Sequence, residues 1–454
     1  MEKSKDLIYQ LDGKPPLTTA IPLGLQHVLA MFVGNITPII IISGVLNLSV
    51  AEKSFLIQCA MFVAGIVSLV QCYPIGPVGA RLPIIMGTSF GFLPVCIAIG
   101  MKYGLPGVLG AVFAGGIFQL FIGLGIKYIR KYFPPLVTGI VLLAIGLSLI
   151  GTGMKYFAGG VGAEDFGSVQ NLMLGTVVLA TLLFFKQFTK GMTSMSAVLI
   201  ALIVGYIVAI PMGKINFEAV ANAHWFAVPV PLKFGMEFYL DAMLSMFVMN
   251  VISTVETVGN TCGIVSGGIG GRCATDREVS GAVIADGLGT SFAALFNVLP
   301  NTSYGQNVGI ITMTGVINRF AVAMGAMFLL LAGFFPKLGA IVAVMPPSVL
   351  GGAAVVMFSM MVVSGINQVT EEPLRGKNGT ILAVSLGLGL GFSLVPEASK
   401  HFPHMLKMLF EGSGVAVATF VAILLNIILP DDADTLLKKK HEAEKECKDN
   451  ICQS

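Results

Sequence analysis

Residues 300–315 read Pro-Asn-Thr-Ser-Tyr-Gly-Gln-Asn-Val-Gly-Ile-Ile-Thr-Met-Thr-Gly. This polar, glycine-broken stretch interrupts a chain that is otherwise almost all apolar. In hydrocarbon every backbone N–H and C=O needs an internal partner, so non-helical backbone at membrane depth persists only where it is buried in protein or lines a cavity. Ser303, Tyr304, Gln306 and Asn307 therefore mark a candidate substrate site. The device occurs once more, in Pro83-Ile-Ile-Met-Gly-Thr-Ser-Phe-Gly-Phe92. There Thr88-Ser89-Phe90-Gly91 answers Thr302-Ser303-Tyr304-Gly305 at an offset of 214 residues. Paired interrupted segments at matching places in two halves point to the binding site of a secondary transporter.

Of the 454 residues, 55% are hydrophobic and 11% charged, with a mean hydropathy of +0.87. Soluble domains carry about 25% charge, so the chain reads as an all-α polytopic membrane protein. A net charge of +3 gives no reason to expect nucleic acid as a partner. Met1 to Pro16 is polar, with no apolar run before a small-residue site, so no cleavable signal peptide is expected. The seven cysteines (59, 72, 96, 262, 273, 447 and 452) are scattered and read as small buried hydrophobes. Cys447 and Cys452 lack further ligands at metal spacing, so neither metal nor organic cofactor is expected.

A helix needs about 20 apolar residues to cross a bilayer. That ruler predicts fourteen spans, near 18–44, 53–72, 83–100, 105–126, 134–153, 170–187, 193–212, 238–262, 279–297, 303–319, 321–335, 345–365, 379–395 and 411–429. The third and tenth are expected to be part extended and part helical. Basic residues test the layout, because cytoplasmic loops are enriched in them. With Lys3, Lys5 and Lys14 inside, Arg81, Lys127, Arg130, Lys131, Lys186, Lys190, Arg272, Arg277, Arg319, Arg375, Lys377 and Lys438-Lys439-Lys440 fall inside too. Lys102, Lys155, Lys214, Lys233, Lys337, Lys400 and Lys407 fall outside, diluted over longer loops. Both termini are thus expected in the cytoplasm, and residues 431–454 form a charged tail.

Two further matches extend the repeat. Met31-Phe32-Val33-Gly34-Asn35 resembles Met246-Phe247-Val248-Met249-Asn250 at an offset of 215, and Phe133-Pro134-Pro135-Leu136-Val137 resembles Met345-Pro346-Pro347-Ser348-Val349 at 212. Seven spans is an odd number, so the second copy inserts upside down.

Ionisable groups inside spans cost about 2.5–3.5 kcal/mol each on the insertion scale, and three stand out: His27, Glu256 and Asp286. Glu256 shares a helix face with Ser253 and Asn260. A carboxylate accepts hydrogen bonds when ionised and donates when protonated, so it can hold the N–H edge of a heterocycle and carry a proton. It can equally be a structural carboxyl paired to a neighbouring helix. Asp286 reads as a brace to a broken segment or as a proton relay, and His27 as a satisfied core histidine or a ligand contact. Gln306 complements a lactam edge, whereas Asn307 reads as a loop brace. Phe90 and Tyr304 either pack on a flat ring or plug the crossing.

Gln306-Asn307-x-Gly309 followed by Thr314-Gly315 resembles the signature of the nucleobase–ascorbate transporter family (nucleobase:cation symporter family 2), in the form of its xanthine and urate branch. Gln26-His27-Val28-Leu29-Ala30-Met31-Phe32, Glu256-Thr257-Val258-Gly259, Ala285-Asp286-Gly287, Ser385 to Gly391 and Leu425 to Pro430 support it, so the likeness runs from about Leu11 to Pro430. It implies fourteen spans as two inverted seven-span repeats, with short antiparallel strands in spans three and ten. It implies a core domain (18–128 and 238–340) and a gate domain (129–237 and 341–430), flanked by a cytoplasmic N-terminus (1–17) and tail (431–454).

The resemblance further implies proton symport and a homodimer in the lipid membrane. By matched position Glu256 and Gln306 contact a purine, the Phe90 and Gly305 backbones help, and Ser89 and Tyr304 lie close by. His27, Asp286, Asn307 and Asn260 support binding or coupling. Several purine relatives carry Asp where this chain has Asn260, so a second titrating group on that face is absent here. A small Ser89 either leaves room for the C8 oxygen of urate or only satisfies backbone at the break, as Ser303 can in the other repeat.

The expected function is uptake of xanthine, urate or both across a bacterial plasma membrane. The alternatives are a uracil or other nucleobase symporter, or an anion exchanger or channel on the same plan. An anion carrier wants a basic residue at the breaks, where Glu256 and Gln306 stand instead. An intramembrane enzyme built on His27, Ser303 and Asp286 is not expected, since Ser303 has an architectural twin in Ser89.

Overall fold

The computed structural model describes residues 7–126, 134–160, 163–269, 272, 274–371, 373–401 and 414–430. The expectations for Lys3, Lys5, Lys127, Arg130, Lys131, Phe133, Cys273, Lys407, Cys447, Cys452 and the 431–454 tail lie outside these residues.

Helix α1 (Leu17–Val45) follows Pro15-Pro16, and α2 (Val50–Cys72) opens with a capping box in which Ser49 and Glu52 exchange side-chain and backbone hydrogen bonds. Strand β1 (Met86–Thr88) leads into α3 (Leu93–Leu124). That helix bends at Gly104, where φ of +69° needs glycine and Pro106 cannot donate to the ladder. Next come α4 (Pro135–Phe157), α5 (Val169–Phe188), the short α6 (Met192–Met195), α7 (Ala197–Ala209) and α8 (Glu218–Asn222). The second half has α9 (Leu240–Gly268), α10 (Asp276–Leu295), β2 (Asn301–Ser303) and α11 (Gly305–Thr314). It continues through α12 (Arg319–Ala332), α13 (Pro336–Ala343), α14 (Pro347–Val369), α15 (Gly376–Leu394) and α16 (Gly414–Ile428).

Among the described residues seven helices are long and apolar enough to cross a membrane, and the α12–α13 pair, bent by 83°, is a broken span or a re-entrant loop. The chain is a multi-pass membrane protein. Three details differ from the sequence expectation. The 193–212 stretch is divided at Ser196 into α6 and α7. The 303–319 stretch ends its helix at Thr314, where Gly315 takes the left-handed cap. After 321–335 the chain turns into α13, because Pro336 starts a helix easily at its first position but cannot continue one.

Packing sorts the helices into two groups. In one, α3 lies along α10 and α9, while α12 lies along α2 and α1, around the strand pair. In the other, α14 runs along α4, joined by α5, α7, α15 and α16, and contact between the groups is thin. Lipid tails give no hydrophobic drive between helices, so small residues must let backbones approach. A Cβ on Gly24 of α1 would stand 2.5 Å from Gly325 N of α12, and one on Gly116 of α3 2.5 Å from Gly287 O of α10. Gly139 of α4 and Gly365 of α14 face each other in the same way.

Candidate substrate site

Strands β1 and β2 pair antiparallel, Met86 with Ser303, Gly87 with Thr302 and Thr88 with Asn301. Ser89 N–H to Pro300 O (2.9 Å) and Tyr304 N–H to Ile85 O (3.1 Å) extend the ladder. The backbone groups freed by breaking two spans thus satisfy one another. Side chains clamp the strand ends. Ser68 Oγ of α2 accepts from Met86 N–H (2.8 Å), and Thr290 Oγ1 of α10 accepts from Asn301 N–H (3.2 Å). Asn35 Oδ1 of α1 accepts from Thr88 N–H at 2.8 Å.

Tyr304 plugs the crossing. Its phenol donates to Thr88 O at 2.6 Å, and a Cβ on Gly34 or Gly87 would come within 2.7 Å or 2.9 Å of its ring. Ring and hydroxyl both contact the protein, which ties the two broken segments together. Ser89 is buried as well, and its Oγ accepts from Gly91 N–H at 3.2 Å, which satisfies backbone at the break. Phe90 packs edge-on against Phe358 of α14, with ring centroids 5.3 Å apart, and so reaches across to the other helix group.

The buried polar residues behind the strands form two hydrogen-bonded sets. His27 Nδ1 is bonded to Asn307 Oδ1, and Asn307 Nδ2 donates to Pro83 O at 2.5 Å, tying α1, α11 and the lead into β1. Asp286 Oδ2 of α10 accepts from Gln119 Nε2 (2.8 Å), Thr257 Oγ1 (2.6 Å) and Ser253 Oγ (3.4 Å). Ser253 continues to Thr302 Oγ1 (3.1 Å), and Ser303 Oγ donates to Thr257 Oγ1 (3.3 Å). Asp286 thus ties α10 to α3 and α9 beside the broken segment. Asn260 Nδ2 donates to Ser303 O (3.1 Å) and Oγ (3.0 Å), fastening α9 to the strand–helix junction.

Glu256 differs from all of these. It is only half-buried, and its carboxylate makes no hydrogen bond or ion pair among the described residues. One turn on, nothing lies within 4 Å of a Cβ on Gly259, and the same holds at Gly309. Gly305, Gln306 and Gly309 are exposed at the start of α11, against which α9 packs. Carboxylate, carboxamide and bare glycine backbone therefore border open space beside the crossing. An unpaired half-buried carboxylate is costly, and a ligand with N–H groups would offset that cost. Among the described residues no cluster of three or more His, Cys, Asp or Glu could hold a metal ion.

The model of the Permease family matches residues 18–398. The chain belongs to this family. Among its relatives are the "Xanthine permease XanQ" of Escherichia coli strain K12, 35% identical over 94% of both chains, and the "Uric acid transporter UacT" of the same organism, 36% identical over 90% of this chain and 85% of that one. A solved structure of murine Slc26a9, an anion transporter, shares the fold with a TM-score of 0.61 at 13% identity, over 91% of this chain and 69% of that one. The permease is a transporter and not an enzyme.

Sequence reasoning missed several residues that build the candidate site. Asn35 stood in the quoted repeat but carried no assigned role, and Gln119 was not singled out. Ser68 and Thr290 gave no signal at all. Hydroxyls inside helices routinely bond the carbonyl four residues back, as Thr254 does to Asn250 O at 2.8 Å. Nothing local separates those from a pair that clamps a strand.

Proposed function

We propose that this permease takes up an oxidised purine base, xanthine, urate or both, by proton symport and alternating access across a bacterial plasma membrane. The open carboxylate of Glu256 beside Gln306 carries the reading. The carboxylate accepts from the N–H edge of the base, and the Gln306 carboxamide meets a lactam group with one acceptor and two donors. The Gly305 and Phe90 backbones border the base, while His27, Asn307, Asn260 and Asp286 hold the broken segments in place. The names of the relatives, one for xanthine and one for uric acid, support this substrate class.

The architecture we propose is fourteen spans in two inverted repeats, both termini cytoplasmic, assembled as a homodimer through the gate. The helix contacts support the repeat: α3 on α10 has its inverted counterpart in α12 on α2, and α15 with α16 answers α5 with α7. The two packing groups support a core of 18–128 and 238–340 and a gate of 129–237 and 341–430. A proton crossing the membrane supplies about 2.3 kcal/mol per 100 mV, over tenfold accumulation of a neutral base. The deciding experiment is uptake of labelled xanthine into cells making the permease, with and without a protonophore and with excess urate. Protonophore-sensitive uptake that urate inhibits is expected. Uptake indifferent to the protonophore would refute proton coupling, and indifference to urate would confine the substrate to xanthine.

A further inference from the structure

One matched pair of positions differs sharply between the two halves. Tyr156 of α4 is 5% exposed, and its phenol donates to Ile41 O (3.1 Å) and Ile40 O (3.4 Å) of α1. It is a polar tie between the two helix groups, where contact is otherwise thin. The approach depends on Gly44, since a Cβ there would stand 2.6 Å from the Tyr156 hydroxyl oxygen. At the 215-residue offset relating α1 to α9, Ile40, Ile41 and Gly44 fall on Val255, Glu256 and Gly259, glycine on glycine. At the 212-residue offset relating α4 to α14, Tyr156 falls on Gln368, with Gly139 and Gly153 on Gly351 and Gly365. The halves part company here. Gly259 has nothing within 4 Å of its Cβ position, and the side-chain oxygen of Gln368 is buried without a hydrogen-bond partner among the described residues.

We infer that Tyr156 on Gly44 is the latch that shuts one side of the permease, and that Gln368 is its counterpart, which closes on Gly259 when the site opens to the other side. The inference rests on the inverted repeats and alternating access proposed above. Two structurally matched halves in different conformations give the opposite-facing state when they exchange those conformations. In that state the Tyr156 phenol leaves α1, and Gln368 Nε2 donates to the Val255 and Glu256 carbonyls. The second latch lies directly over Glu256, so it closes the candidate site itself. Both positions of α1 and α9 need glycine for the same reason: each takes its partner in one state of the cycle.

The test reads conformation without transport. A cysteine replacing Gly309, which borders the same open space and takes neither latch, reports the open side through its labelling rate with a bulky maleimide. It is measured in membranes without substrate, as the excess over protein lacking that cysteine. Tyr156→Phe keeps the ring but loses the tie, and one hydrogen bond is worth about two- to tenfold in a two-state population. It should therefore slow labelling by up to about that factor. Gln368→Leu weakens the opposite state and should accelerate labelling. Opposite signs at equal membrane levels support the latches. No change in either variant, or changes of the same sign, overturns them. Xanthine uptake that fails while the opposite labelling shifts persist would count against the substrate and leave the latches standing.

Discussion

Asn260 shows how one atom decides what a position can do. Its Nδ2 holds both Ser303 O and Ser303 Oγ, and an ionised carboxylate, which only accepts, could not bond the Ser303 carbonyl. Asn260→Leu preserves bulk and removes both donors, so thermal unfolding of the purified permease should show a loss of about 1–3 kcal/mol. An unshifted melting curve would show that the junction does not need the amide. Glu256 calls for the reverse outcome. Its carboxylate makes no hydrogen bond or ion pair among the described residues, so Glu256→Gln should not lower the melting temperature. It should raise the KM for xanthine at least about tenfold, the weight of a charge-assisted hydrogen bond. A normal KM would remove Glu256 from the site.

The helices are set by where backbones touch. A Cβ on Gly24 would lie 2.2 Å from Ala321 O, a main-chain atom that cannot rotate away. Gly24→Ala should therefore force α1 off α12 and cost about 1–3 kcal/mol in thermal unfolding, whereas Gly259→Ala enters open space and should be neutral there. Equal melting of the two would contradict this crossing. The loop between α4 and α5 makes a separate point. Lys214 hydrogen-bonds Asp165 and thereby holds its carboxyl below the ordinary 3.8. A depressed carboxyl adds stability above its ordinary pKa and loses it as pH falls through the lowered value. Limited proteolysis should find the loop protected from neutral pH down to about 3.8 and less protected below it. Lys214→Met should lose that protection at neutral pH; an equally protected loop would show that the pair does not hold it.

If two helix groups move against each other, ties within a group and between groups have different consequences. Phe118 of α3 and Phe247 of α9 stack within one group, centroids 4.6 Å apart. Cysteines there, joined by a short cleavable linker, should leave uptake intact. The same linker between cysteines replacing Gly44 and Tyr156 bridges the groups and should stop uptake until it is cleaved. Uptake that survives the second linker would mean that the groups do not separate at this point.

How much of this was legible without the fold depends on the range of the interaction. Membrane residence followed from the sequence by itself, because a hydrocarbon slab imposes a length and an apolarity on any segment that crosses it. Both breaks were visible for the same reason: polar, glycine-rich chain is tolerated at depth only when something pairs with it. Their repetition and the resemblance carried by Gln306, Asn307 and Gly309 led to the permease family before any coordinate was known. What pairs with what was decided by tertiary contact. Glu256, Asp286 and His27 look alike as lone ionisable groups in apolar helices. Only neighbours 29 and 280 residues away, Thr257 beside Asp286 and Asn307 beside His27, give those two hydrogen-bond partners that Glu256 lacks among the described residues. Ser68, Thr290 and Tyr156 were invisible for the same reason, since a hydroxyl's role is set by which distant carbonyl or amide the packing brings to it.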